Sequence, residues 1–302
     1  MSILVVGSVA FDSVETPFGK AEEVLGGSAT YFSTSASFFT GVSLVAVVGE
    51  DFPDKHIETL KAKGIDVAGL RKVPGKTFRW KGYYGYDLNQ AHTLETHLNV
   101  FSSFNPEVPA AYREAPFVFL ANIDPELQMK VLDQVKKPRL VACDTMNFWI
   151  EGKPDALKEL LRRVDLFVIN EGEARELSKE ASLVKAAKTI MGYGPRVLII
   201  KRGEYGALMF TASSMFAAPA YPLEEIFDPT GAGDTFAGGL MGYIANTEDI
   251  SEGNIRRAII YGSVMASFNV EAFSLERLET LKPAEIKERY YAFKRLTFFE
   301  DI

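Results

Sequence analysis

Short, uninterrupted apolar runs recur along this chain, at residues 3–6, 42–48, 117–120, 140–143, 166–169 and 197–200. A strand with one wet face alternates apolar and polar side chains. A continuous run must be covered on both faces, the condition of strands inside a parallel sheet. The stretches between the runs, 29–39, 54–63, 125–136, 154–164 and 173–179, read as amphipathic helices. Regular alternation of this kind predicts right-handed βαβ units, hence an α/β fold with a doubly wound, mostly parallel sheet flanked by helices. The 302 residues are ample for a large core, no linker or repeat divides them, and we read 1–302 as one domain.

Two stretches interrupt the rhythm. Residues 11–26 separate the first strand from the first helix and are too long and polar for a tight turn. Residues 76–100 alternate in polarity and carry Phe78, Trp80, Tyr83, Tyr84 and Tyr86, the pattern of antiparallel strands outside the main sheet. By residue pattern alone, this second stretch suits a cover over a site or a decorative hairpin equally. The tail, 275–302, reads as a helical finish with a hydrophobic end.

Asp and Glu number 40 against 33 Lys and Arg, a formal charge of -7. That balance argues against a broad basic face for nucleic acid or an anionic membrane, and leaves room for a local basic pocket. No segment reaches the roughly 18 continuous apolar residues of a spanning helix, and the start lacks a signal peptide's basic stretch. Cys143 is the single cysteine, so no internal disulfide forms and a reducing, cytoplasmic setting is expected.

The chemically informative segment is Asp228-Pro229-Thr230-Gly231-Ala232-Gly233-Asp234-Thr235-Phe236-Ala237-Gly238-Gly239. Turn residues pass straight into a small-residue helix, 235–245. Few side chains block the backbone, so the amides of 231–234 are expected to face outward at a helix N-terminus, where partial positive charge attracts anions. A carboxylate at Asp234 competes with a bound anion unless it takes a proton from a hydroxyl attacking a phosphate held there. Helix capping is the plainer role for an isolated Asp.

This twelve-residue string resembles, without interruption, the C-terminal signature of the PfkB, or ribokinase-like, carbohydrate kinases. The resemblance implies a ribokinase-like α/β fold with a small β-strand lid, formed here by 11–26 and 76–100. It also implies ATP-dependent phosphorylation of a sugar or nucleoside hydroxyl with Mg²⁺. Asp234 is then the catalytic base, and Gly231, Ala232 and Gly233 supply the anion hole. Other segments follow in the family's order. Gly26-Gly27 resembles the N-terminal signature beside the substrate, and Asp12 stands where the family binds substrate hydroxyls. Asn170-Glu171-Gly172-Glu173 resembles the Asn-x-x-Glu motif tied to magnesium, which acts mainly through water; an ordinary capping box is the alternative reading of Asn170 and Glu173. Lys201 to Gly206 resembles the nucleotide turn, with Gly203 and Gly206 as its glycines, although these could equally build a hairpin. Ser263 falls where the family's adenine pocket lies.

There are departures. Tyr31 replaces the Asn usual in the N-terminal signature, and its ring could stack on a substrate or pack in the core. Asp144-Thr145-Met146-Asn147 resembles an Asp-x-Asn-x-Arg segment but lacks the Arg, which leaves Lys201 to supply positive charge. Asp228 and Thr230 match half of the family's monovalent cation site, a candidate for K⁺, whereas Phe273 stands where its other half usually has Gly. Selectivity is expected from the lid and from Asp12, Tyr31 and Asn122, with the aromatic residues favouring a flat ring such as a nucleoside. Two alternatives remain in view: a catalytically silent protein of this fold that binds a sugar, nucleoside or partner, and a homodimer joined through exposed lid strands. No Walker-type P-loop and no dinucleotide turn is present. The three histidines show no metal-ligand spacing.

Overall fold

The computed structural model describes residues 2–298 and Glu300. In chain order its elements are β1 (Ser2–Val6), β2 (Ala10–Thr16), β3 (Gly19–Gly26), α1 (Ser28–Ala36), β4 (Gly41–Gly49), α2 (Asp54–Ala62), β5 (Ile65–Val73), β6 (Phe78–Tyr84), β7 (Ala91–His97), β8 (Phe117–Leu120), α3 (Pro125–Leu132), β9 (Leu140–Cys143), α4 (Asn147–Gly152), α5 (Pro154–Leu161), β10 (Leu166–Asn170), α6 (Glu171–Ser178), α7 (Leu183–Met191), β11 (Val197–Lys201), β12 (Ala207–Phe210), β13 (Met215–Ala218), α8 (Ala232–Thr247), α9 (Glu252–Asn269), α10 (Glu276–Thr280) and α11 (Pro283–Leu296).

Nine strands form the main sheet in the order β13-β12-β11-β10-β9-β8-β1-β4-β5. From β11 to β5 every pairing is parallel; β12 and β13 add an antiparallel edge. The six apolar runs of the sequence are all strands here, and their side chains divide between two cores. Ile3, Val5, Phe117, Phe119 and Val168 face a core with α1, α8 and α9, whereas Leu4, Val118, Leu120, Phe167 and Ile169 face one with α5, α6 and α7. Both faces are therefore covered, which is why these strands need no polar alternation.

The interrupting stretches pair with each other. Antiparallel β2–β3 and β6–β7 join through a parallel β2–β6 contact into a second sheet, β3-β2-β6-β7. All seven residues of β7 are exposed.

Four elements lie outside the sequence reading: β5, β13, α4 and α7. The strand β5 is at the edge of the main sheet and alternates between buried and exposed residues, so it carries no apolar run. The helix α8 begins at Ala232, three residues earlier than expected. The tail is helical to Leu296, and its hydrophobic end at Phe299 and Ile302 lies outside the described residues.

Candidate active site

Parallel strands deliver polar residues to one edge of the main sheet. Asn122 follows β8, Asp144 follows β9, Asn170 closes β10 and Lys201 closes β11. In open α/β sheets the ligand crevice lies outside the carboxyl ends of the strands, where the chain order reverses. Here that place is β1, flanked by β8 and β4.

The N-terminus of α8 points into the same region. Gly231 caps it in a left-handed conformation, φ 72°, and Thr235 N–H closes the first helical turn on Gly231 O at 2.8 Å. Ala232 N–H donates to Pro229 O at 3.2 Å. This corrects the expectation that Ala232 joins the anion hole, because its amide is spent inside the turn and leaves those of Gly231, Gly233 and Asp234 as the candidates. A Cβ on Gly231 would collide with the ring of Tyr31, which is 1% exposed. Position 231 thus demands glycine for its dihedral and for its space. Gly231→Ala is expected to cost about 2–4 kcal/mol, seen as a fall in Tm of roughly 3–6 °C. An unchanged Tm would contradict this packing.

Four ionisable groups converge beside this turn. The Lys201 ammonium lies against Gly233, in the space a Cβ there would need. Burial pushes the Asp234 carboxyl up to about 6, and Lys201 pulls it the other way. Asp144 is driven well above the ordinary carboxylate range, first by burial and then by Asp234, again against Lys201. Its Oδ1 is buried without a hydrogen-bond partner. Glu173 is raised mainly by burial, with Lys201 opposing. Asn170 and Glu173 do form a capping box: Asn170 Oδ1 accepts Glu173 N–H at 2.8 Å, and Glu173 Oε2 accepts Asn170 N–H at 2.9 Å. Capping uses one oxygen of Glu173 and leaves the other.

Opposite them, Asp12 on β2 is buried, accepts the Gly27 N–H and is raised to about 7, chiefly by burial. Gly26 permits its approach, since a Cβ there would overlap the Asp12 carboxylate. The Tyr31 hydroxyl is buried without a partner, and its ring packs on the turn. Tyr84, from β6 of the second sheet, accepts a hydrogen bond from Thr230 Oγ1 at 3.4 Å, and burial raises its phenol to about 12. Both tyrosines feel the charges of Asp12, Asp228 and Asp234, which groups all five residues in one space. Asn122 Oδ1 accepts the Trp149 indole N–H at 3.0 Å.

On the far side of Lys201, residues 202–206 form a single turn in which Gly203 and Gly206 have φ 55° and 87°. A cleft of about 650 Å³ adjoins it, lined by Tyr205, Leu208, Ala217, Pro222 and Leu296 among others. The tip of the β6–β7 hairpin reaches this turn, where Asn89 Oδ1 accepts Glu204 N–H at 3.2 Å and Asn89 Nδ2 donates to Glu204 Oε1 at 3.3 Å. Ser263 is buried on α9 and does not line the cleft.

Magnesium in phosphate-transfer sites is held by one or two carboxylates together with substrate phosphates. The unpartnered Oδ1 of Asp144 and the remaining oxygen of Glu173 fit such a donor set. Among the described residues, no three His, Cys, Asp or Glu side chains form a cluster that would hold a metal alone. Cys143 is fully buried, with its thiol pushed up by burial, and plays no part here. No helix among the described residues is long and apolar enough to cross a membrane.

The model of the pfkB family carbohydrate kinases matches residues 3–280. The chain belongs to this family. A cytidine kinase of Thermococcus kodakarensis is 32% identical over 249 residues, covering 80% of this chain and 88% of that one. The nucleoside kinase of Methanocaldococcus jannaschii, described with its structure as an archaeal member of the ribokinase family, superposes with TM-score 0.77 at 21% identity, covering 96% and 98% of the two chains. A putative ribokinase II of E. coli, solved with ATP and Mg²⁺, superposes with TM-score 0.77 at 18% identity, covering 96% and 99%. This pfkB kinase has the ribokinase fold and is a phosphotransferase with an alcohol acceptor, of the sugar and nucleoside kinase class.

Sequence reasoning passed over three residues of the site. Asp144 was legible only as part of a motif without its Arg, Tyr84 only as one aromatic among several, and Asn89 carried no signal beyond its place in a polar turn.

Proposed function

We propose that this kinase transfers the γ-phosphoryl group of ATP to a hydroxymethyl group of a nucleoside, with Asp234 as base. The observation that carries the reading is the meeting of the Asp234 carboxylate, the Gly233 backbone and the Lys201 ammonium at the N-terminus of α8. A proton acceptor, outward amides and a cation are what an in-line phosphoryl transfer requires of a protein.

In this reading, Asp12 accepts hydrogen bonds from the acceptor's hydroxyls, and Asp234 removes the proton of the attacking one. The amides of Gly231 and Gly233 and the Lys201 ammonium stabilise charge on the phosphoryl oxygens as it develops. Lys201 thereby supplies the positive charge that the missing Arg of segment 144–147 does not. The turn of Gly203 and Gly206 holds the nucleotide, with its base beside the 650 Å³ cleft. Asp144 and Glu173, with Asn170 orienting the latter, would hold magnesium, which would supply neutralisation of phosphate charge.

The second sheet serves as the lid over the acceptor, and Tyr84 is its reach into the site. The Tyr84 ring favours a nucleoside over a free sugar, as does the relative that carries the name cytidine kinase. The exposed edge strand β7 is the surface through which a second copy would pair. ADP release from Mg-ATP, measured across cytidine, other nucleosides, ribose, fructose and inositol, tests the acceptor. We expect the highest kcat/KM on a pyrimidine nucleoside. A preference for a free sugar would reject the nucleoside assignment and leave the chemistry intact.

A further inference from the structure

The family resemblance brings with it a monovalent cation beside the anion hole, held by the oxygens of segment 228–230 and of the loop after α9. Several of these oxygens are already engaged. Asp228 Oδ1 accepts Thr230 N–H at 2.8 Å, and its Oδ2 accepts Ser274 N–H at 3.3 Å. Val270 O accepts Phe227 N–H at 2.8 Å and Asp228 N–H at 3.4 Å. Thr230 O accepts Asn269 Nδ2 at 2.8 Å. Each of these bonds aims the positive end of an N–H dipole at such an oxygen, and the Asn269 carboxamide sets its donor directly on Thr230 O, so an amide already supplies positive charge there.

We infer that the side chain of Asn269 takes the cation's place, and that this kinase turns over without potassium. Asn269 is the last residue of α9 and is 1% exposed. Its Nδ2 holds Thr230 O, and its Oδ1 accepts the Thr235 hydroxyl at 3.0 Å. One buried carboxamide thus grips the residues immediately before and after the segment 231–234. The consequence follows from peptide planarity. Thr230 C=O and Gly231 N–H belong to one trans peptide and point in opposite directions. Fixing that carbonyl toward Asn269 fixes the Gly231 amide away from it, toward the transferring phosphoryl group of the proposed mechanism. Asn269 is a positioning residue that acts through Gly231. Its significance for rate rests on the phosphotransfer reading above; the statement about the cation rests on the hydrogen bonds alone.

Turnover and Tm would be measured in KCl, NaCl and tetramethylammonium chloride at equal ionic strength, the last cation being too bulky to enter. We expect both quantities to agree across the three salts, turnover within about two-fold. Potassium-specific activation of ten-fold or more, or potassium-specific stabilisation, would overturn the inference. The Tm series decides the cation question even if no acceptor in the panel is phosphorylated, an outcome that would count against the kinase mechanism instead. Asn269→Ala is expected to lower kcat about ten-fold or more while changing the acceptor KM little, because the Gly231 amide acts on the transition state. A loss confined to KM, or kcat within two-fold of wild type, would show that Asn269 only packs. Should the variant not fold, the salt series on wild type remains the test.

Discussion

Replacing Asp234 by Asn is expected to lower kcat by about 10²- to 10⁴-fold, the usual contribution of a positioned general base, while Mg-ATP still binds. The substitution keeps the shape of the side chain and removes its capacity to accept a proton. Calorimetry or fluorescence with a non-hydrolysable ATP analogue would verify binding, and single-turnover ADP release would give the rate. Turnover within ten-fold of wild type would end the assignment. The same carboxyl predicts the pH profile. Burial raises Asp234 to about 6, and a base works only when deprotonated. At saturating acceptor, kcat should therefore fall as pH drops below about 6. Asp144 stands close enough to raise and be raised, so the acid limb belongs to the two carboxyls together. In Asp234→Asn that limb should disappear along with the rate.

Lys201→Gln is expected to cost about 10²-fold in kcat, the order found when one preorganised charge-stabilising group is removed from a water-poor site. Its second effect separates it from a general loss of packing. The Lys201 ammonium lowers Asp234, Asp144 and Glu173 against the push of burial. Without it those carboxyls rise, so the acid limb of the pH profile should move to higher pH. A variant that loses rate with its acid limb unmoved would place Lys201 away from the base. One that keeps its rate would return the phosphate contact to another residue. Arg202 is tied elsewhere: its Nε donates to Glu171 Oε2 at 2.8 Å, and Glu171 also binds Arg175. It is therefore poorly placed to substitute.

Much of the site was legible before any coordinates because it lies in contiguous strings. Asp228 to Gly239 announces a turn entering a small-residue helix, and the segments after three apolar runs supply Asn122, Asn170 and Lys201 as candidates. The capping box of Asn170 and Glu173 is equally local, since both partners lie within one helical turn. The strand β5 escaped the reading because an edge strand needs no continuous apolar run.

By itself, the sequence determined the parallel sheet, its double cover of helices and the place of the turn that enters α8. Each depends on spacing between near neighbours, which periodicity records. Only the tertiary structure decided that Tyr31 lies under Gly231, that the Lys201 ammonium lies against Gly233, that Asn89 reaches Glu204, and that Asn269 spans Thr230 and Thr235. It also turned the Ala232 amide inward, onto Pro229 O. These are contacts between groups brought together by packing, or a turn closing on itself, and their hydrogen bonds depend on direction as well as distance. A side chain's identity states what it can donate or accept; where it points is set by the layers that enclose it.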